Sequence, residues 1–414
     1  MTVKETCMDE SDPNALTVEQ ALERILATAD RVTGSEAAAL PDALDRVLAE
    51  PVTARIDVPP ARNAAMDGYA LAAHAGQAGR RLRVAGVSAA GHPWDGKLAP
   101  GECIRILTGA VVPDSADAVV MQEHVTLAGE HITLAADVEA GANIRHPGED
   151  TRAGTVILDP GRQLTPADIG LLASQGIGEV TVLRRPRVAL FTTGDELVPI
   201  GQPLQPGQIH DSNRHTLRAL LSRYPVDFDD LGVIADTEDA VRAALTRAGE
   251  SADLILTTGG VSVGDADFVT RLLQREGEVG FWKVAMKPGR PLAFGRFGRA
   301  LFLGLPGNPV SVMATFSLFV RPALLRLCGT EPAPPWTLRA RLLDDLRKNP
   351  GRADFQRGIL EQRDGEWVVR STGGQGSHQL RSMSLANAYI VLSRESRGAR
   401  AGEQVDVIPF QSVF

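Results

Sequence analysis

Cysteine is scarce in this 414-residue chain, with only Cys7, Cys103 and Cys328, far apart and forming no Cys-x-x-Cys. That spacing argues against a zinc knuckle or a disulfide framework and favours a reducing compartment. The eight histidines are equally scattered and form no His-x-x-x-His pair, so a zinc or iron centre is not expected. The opening MTVKETCMDESD has no apolar core of a secretory leader. A net charge of −8 gives no basic excess for a nucleic-acid or membrane surface. An anionic ligand would need a local basic pocket. One stretch, Leu301 to Val320, is apolar enough to raise the membrane question, but Gly304, Pro306, Gly307, Asn308 and Pro309 interrupt it. A spanning helix of about 20 residues would not choose them. Tandem repeats and low-complexity tracts are also missing. What remains is a cytoplasmic globular chain whose length implies roughly two to four domains.

The patterning that is present divides into textures. Thr17 to Thr28 has a Thr-x-x-Gln capping box and apolar spacing of three and four, which predicts a helix, and a second helical run is expected over Ala37 to Leu48. From Ala54 to about Asn143, short apolar pieces broken by Gly and Pro predict a small all-β unit. A capped helix follows at Thr165 to Ser174, with Pro166 in its first turn. From Arg187 the rhythm alternates strand and helix, ending in a long helix from Pro309 to Leu327. Such alternation, with continuously apolar strands, implies a parallel sheet covered on both faces. Beyond Thr330 a proline-rich EPAPPWT linker leads to further short β segments.

In an open α/β sheet, ligands bind at the carboxyl ends of the strands. Three such ends are unusually polar: TTGDE (192–196), TTGGVSVGDAD (257–267) and GLPGNPVS (304–311). Glycine lets backbone N–H groups approach an anion, and a following helix N-terminus adds favourable partial charge. No Walker loop and no Gly-x-Gly-x-x-Gly is present. Any one loop alone could be a tight turn, with Asp267 as a helix cap; three in one sheet favour a phosphate or oxyanion cradle. Asp195, Glu196, Asp236, Asp265 and Asp267 fall at strand ends beside it, a set suited to Mg²⁺, which takes one or two carboxylates plus phosphate and water. Asp195 and Asp265 read better as caps or solvated groups. A basic segment, FWKVAMKPGRPLAFG (281–295), supplies Lys283 and Lys287, four apart and on one side of an extended strand. Lys287, beside Pro288-Gly289, reads as an oxyanion ligand; Arg290 reads as solvated.

Eight motifs occur in order: NAAMDGYA (63–70), RILTGAVVP (105–113), RHPGED (145–150), FTTGDEL (191–197), TTGGVSVGDAD, KVAMKPGRP (283–291), GLPGNPVS and DFQRG (354–358). Together they resemble the molybdopterin molybdenumtransferases, last-step enzymes of molybdenum cofactor synthesis, and the E domain of gephyrin. The resemblance covers nearly the whole chain. It implies Mg²⁺-dependent release of AMP from adenylated molybdopterin as molybdate delivers its metal to the dithiolene. By the same resemblance Glu196, Asp236 and Asp267 are functional acids, with Glu196 and Asp267 as metal ligands. Lys283, Lys287, Ser311 and Arg357 surround the molybdate and pterin sites, with Ser262 and Pro288 also binding substrate. Asp67, Thr108 and Asp150 are functional positions outside the sheet domain, and Ser384 matches through a loosely aligned serine segment.

The implied organisation is multidomain, α/β and β. It has an elongated N-terminal region (1–53 and 143–185), an inserted β domain (54–142), a molybdopterin-binding parallel-sheet α/β domain (186–330) and a C-terminal β-barrel (331–414). The family forms homodimers with shared active sites, and a transient contact with the molybdopterin adenylyltransferase follows from the substrate's origin. No nucleic-acid or membrane partner is expected. Two rivals stand beside this reading: a molybdopterin-binding scaffold without turnover, and a nucleotide pyrophosphatase on the same sheet. Intact Asp67, Glu196 and Asp267 argue against the scaffold, and AMP release without molybdate would point to the pyrophosphatase.

Overall fold

The computed structural model describes residues 14–259 and 268–414. Ser262, Asp265 and Asp267 therefore lie outside the described residues. The chain separates into two compact units: Ala37–Leu44 with Leu48–Thr181, and a larger one containing Val182–Phe414 together with the segment ending at Glu36 and Asp45–Val47.

The smaller unit is built on a six-stranded sheet in the order Ala118–Met121, Gly68–Leu71, Glu102–Ile106, Arg81–Ser88, His131–Leu134, Val125–Ala128. Successive residues of Gly68–Leu71 feed opposite faces. Ala70 packs with Ile104, Ile106 and Val119, whereas Tyr69 and Leu71 pack with Leu82, Cys103 and Ile132. Gly68 has no alternative: a Cβ there would lie 1.9 Å from the Val120 carbonyl oxygen. The helix Pro166–Ser174 starts at a capping box between Thr165 and Asp168.

The helix expected over Ala37 to Leu48 does not form. Ser35–Ala39 is a strand and Leu40–Asp42 a single 3₁₀ turn. Pro41 removes a backbone donor from this stretch, and Asp45 takes a left-handed φ of 63°.

In the larger unit the alternating strands form one sheet, ordered Asp227–Ile234, Arg187–Thr193, Leu254–Thr258, Ala300–Leu305, Pro291–Phe297, Glu278–Lys283. The first four are parallel, as expected; Pro291–Phe297 runs against them, and the edge strand Glu278–Lys283, antiparallel to it, returns to their direction. Leu190, Leu254, Leu256, Leu301 and Leu303 face one side, under Ser212–Leu221, the helix starting at Pro309, and Val18–Thr28. Ala189, Phe191, Ile255 and Phe302 face the other, under Glu238–Ser251 and Phe268–Glu276. Val18–Thr28 has the expected Thr17–Gln20 capping box and buries Ala21 and Ile25 in this core. The stretch Pro309–Leu327 is long and apolar enough to cross a membrane, but 78% of its most apolar window is buried in the fold. A π-helical segment, Phe316–Val320, interrupts it.

The C-terminal strands close a barrel. Ala353–Arg363, Glu366–Ser371, Leu338–Leu342, Gln404–Pro409 and Ala388–Leu392 pair in that order, and the last returns to the first. Leu342, Leu360, Val369, Ile390 and Val407 fill its interior. A sixth strand, Met286–Lys287, arrives from the sheet and pairs in parallel with the start of Ala353–Arg363.

Candidate functional site

The three polar strand ends meet. Thr193 and Glu196, Thr258 and Gly259, and the run Pro306–Pro309 with Ser311 all line one open cavity of about 1210 Å³. Two glycines leave bare backbone at this cavity, for different reasons. Gly259 has φ +83°, and a Cβ there would lie 2.4 Å from the Thr193 carbonyl oxygen. At Gly307 a Cβ would meet no atom within 4 Å, so this bare backbone faces open space.

Two polar side chains at the start of Ser212–Leu221 tie the strand ends together. Buried Asp211 caps the helix by accepting from the Arg214 N–H at 3.1 Å, and it accepts the Thr192 hydroxyl at 2.7 Å. Asn213 Nδ2 donates to Thr258 Oγ1 at 3.2 Å and to the Gly307 carbonyl at 2.7 Å. Both residues line the cavity. Sequence reading missed them because Asp-Ser-Asn before a helix looks like ordinary capping.

Lys287, Arg290 and Arg352, with Pro288 beside Lys287, add the basic wall that an anionic ligand requires in an acidic chain. Arg290 thus belongs to the cavity and not to a solvated edge. The idea that Lys283 and Lys287 share one strand is also corrected. Lys283 ends the sheet's antiparallel edge strand, while Lys287 lies on the barrel-bound strand beyond buried Val284 and Ala285. Lys283 does not line the cavity.

Arg357 takes a different place from substrate contact. Only 1% exposed, it donates through Nε to Ser382 Oγ at 2.9 Å and through Nη2 to the carbonyls of Gly374 and Gly376, at 3.3 and 3.0 Å. Its guanidinium braces the loop whose Gln375, Gly376, Ser377 and His378 line the cavity. Ser384 is exposed on the helix Leu380–Leu385 and is not in the lining; the serine that meets Arg357 is Ser382.

Acid groups gather at the ends of the adjacent strands Arg187–Thr193 and Asp227–Ile234. Burial, then the charges of Asp195 and Glu196, raise the Asp236 carboxyl above its ordinary value. Among the described residues no group of three or more His, Cys, Asp or Glu is arranged to hold a metal. The set still suits Mg²⁺, which needs only one or two carboxylates when phosphate supplies the rest. A cation there would relieve the repulsion that Asp236 feels.

In the smaller unit, Asp67 and Thr108 are brought together. Asp67 Oδ1 accepts both the Thr108 backbone N–H and its hydroxyl, each at 2.7 Å. These bonds, side chain first, hold the Asp67 carboxyl below its ordinary value, so it is a preformed anionic acceptor. Asp150 is exposed in a separate turn, its backbone N–H on the Val58 carbonyl.

Family models match along the chain: the MoeA N-terminal region (domain I and II) over residues 16–176, a probable molybdopterin binding domain over 189–326, and the MoeA C-terminal region (domain IV) over 339–410. A molybdopterin molybdenumtransferase of Haemophilus influenzae is 43% identical over 404 residues, covering 96% of this chain and all of its own. One from Bacillus subtilis is 35% identical, covering 90% of this chain and 89% of its own. The crystal structure of a molybdopterin biosynthesis moeA protein from Pyrococcus horikoshii superposes with a TM-score of 0.80 at 31% identity, over 95% of this chain and all of that one. With its fold, its cavity and its full-length relatives in agreement, the chain belongs to the MoeA family of molybdopterin molybdenumtransferases.

Proposed function

We propose that this chain is a cytoplasmic transferase that inserts molybdenum from molybdate into adenylated molybdopterin, releasing AMP. The observation that carries this reading is the single cavity that joins three polar strand ends to a wall containing Lys287, Arg290 and Arg352. Its glycine-lined backbone is shaped for phosphate oxygens, and its volume suits a pterin joined to a nucleotide. Lys287 and Ser311 hold the oxyanion, Lys287 as a mobile point charge on a small tetrahedral ion. Asn213 sets the spacing of the floor, and Arg357 holds the 374–376 loop against the pterin side. Glu196 and Asp236 would hold Mg²⁺, with Asp267 as a further ligand. When bound, the ion neutralises phosphate charge as the anhydride linking AMP to the pterin phosphate opens.

The enzyme works as a homodimer, in which Asp67 and Thr108 serve the partner's cavity. It receives its adenylated substrate through brief contact with the adenylyltransferase. The deciding experiment is AMP release from adenylated molybdopterin with and without molybdate, each with and without Mg²⁺. Release that depends on both supports the reading. Release indifferent to molybdate would make the chain a pyrophosphatase, and binding without release would make it a scaffold.

A further inference from the structure

Behind the cavity wall lies a carboxylate that the reaction above does not use. Asp354 is the second residue of the long barrel strand Ala353–Arg363 and is 3% exposed. Gln356 Nε2 donates to its Oδ2 at 2.9 Å. The parallel register sets Asp354 directly opposite Lys287, and facing residues of such a pair project from the same side of the sheet. On its other flank it faces Leu392.

Three cations bear on this carboxylate: Lys287 from the neighbouring strand, Lys348 from the preceding turn and Arg357 from its own strand. Two of them are committed elsewhere. Lys348 Nζ donates to the carbonyls of Ser393 and Ser396, at 2.8 and 2.9 Å. Arg357 braces the 374–376 loop. Lys287 is exposed and lines both the large cavity and a smaller one of about 410 Å³. The other charged residues of the smaller cavity are Asp344, Asp345 and Arg347. Lys287 therefore has a buried carboxyl group behind it and the open cavity in front.

We propose that Asp354 is a positioning residue whose carboxylate attracts the Lys287 ammonium from behind and so weakens that lysine's hold on the incoming oxyanion. The inference rests on Lys287 being an oxyanion ligand. It predicts a sign opposite to that of a merely structural acid: removing the charge while keeping the shape strengthens oxyanion binding. Burial also pushes the Asp354 carboxyl up, despite the three cations. As pH rises through that raised pKa the carboxylate forms, and wild-type binding weakens.

The test is molybdate binding to the full-length protein by titration calorimetry at fixed ionic strength. Asp354→Asn keeps an acceptor for Gln356 and should bind molybdate about fivefold more tightly, the order of one opposing charge–charge interaction removed from partly hydrated surroundings. In a Lys287→Ala background the same change should shift affinity by less than about twofold. The wild-type loss of affinity with rising pH should be smaller in Asp354→Asn. Urea unfolding checks that each variant folds, and Asp354→Ser serves the same comparison should the amide not fold. Unchanged or weaker binding in the charge-removed variants, with Lys287→Ala impaired, overturns the opposing attraction. A gain that persists in full without Lys287 overturns the link through the lysine. Unaltered binding in Lys287→Ala itself removes the oxyanion reading of that lysine, and this inference with it.

Discussion

Gly259 and Gly307 both line the cavity, yet adding one methyl group to each should have opposite consequences. At Gly259 the backbone is left-handed, φ +83°, which costs an L-residue roughly 1–2 kcal/mol. The new Cβ would also stand 2.4 Å from the Thr193 carbonyl oxygen, which belongs to backbone and cannot rotate away. Relieving such overpacking typically costs ~1–3 kcal/mol, so Gly259→Ala should lose about 2–5 kcal/mol in all. The loss falls where it matters. Thr193 immediately precedes the turn carrying Glu196, and a displacement of about 1 Å there could lower AMP release ~100-fold. Gly307→Ala meets neither a strained φ nor any atom within 4 Å, so its stability should stay within ~0.5 kcal/mol of wild type. Its methyl instead enters the cavity and should raise the substrate concentration needed for half activity. Urea unfolding followed by circular dichroism, paired with AMP release, reads both. A Gly259→Ala protein as stable and active as wild type would refute the close-approach argument.

Lys287→Ala should raise the molybdate concentration for half-maximal activity roughly tenfold or more, since one charge-assisted contact contributes ~1.5–3 kcal/mol; an unchanged molybdate dependence with weaker pterin binding would count against it. Asp67→Ala and Glu196→Ala subunits, each inactive alone, should recover about a quarter of wild-type activity when mixed and allowed to exchange. Half the dimers are then mixed, with one intact site each; no recovery would place both residues in the same chain's site. Asp236 has a raised folded pKa, so its contribution to stability is present at acid pH and lost as pH rises through that value. Asp236→Asn should therefore gain in urea midpoint over wild type at pH 7 and not at pH 3, and added Mg²⁺ should reduce the gain; a pH-independent difference would reject the charge repulsion.

Much of this architecture could be read from local chemistry. The Thr17–Gln20 capping box and the Thr165–Pro166 helix start each occur where the sequence pattern puts them. The convergence of the three polar strand ends followed from the βα rhythm alone. Other features depend on register or on distant partners. Apolar runs look alike in parallel and antiparallel strands, so Pro291–Phe297 gave no sign of running against its neighbours on both sides. Arg357 is placed near the substrate by the family resemblance alone, and nothing near it in sequence reveals that Gly374 and Gly376 accept its hydrogen bonds. Ser382 and Ser384 differ by two positions on a short helix, which rotates one towards Arg357 and the other to solvent. Helical propensity misled at Ala37 to Leu48, where tertiary context prevailed over an alanine-rich run.

The short strand Met286–Lys287 has a consequence for recombination. It is encoded with the sheet but paired with the barrel, through Met286 opposite Ala353 and Lys287 opposite Asp354. The proline-rich linker after Thr330 looks like a natural crossover point, yet a graft of residues 338–414 from a relative would place a foreign strand beside Lys287 and pass the seam through the wall of the cavity. Chimeras that carry residues 284–290 along with the barrel keep that pairing native, and move the seam back to the sheet's outer edge.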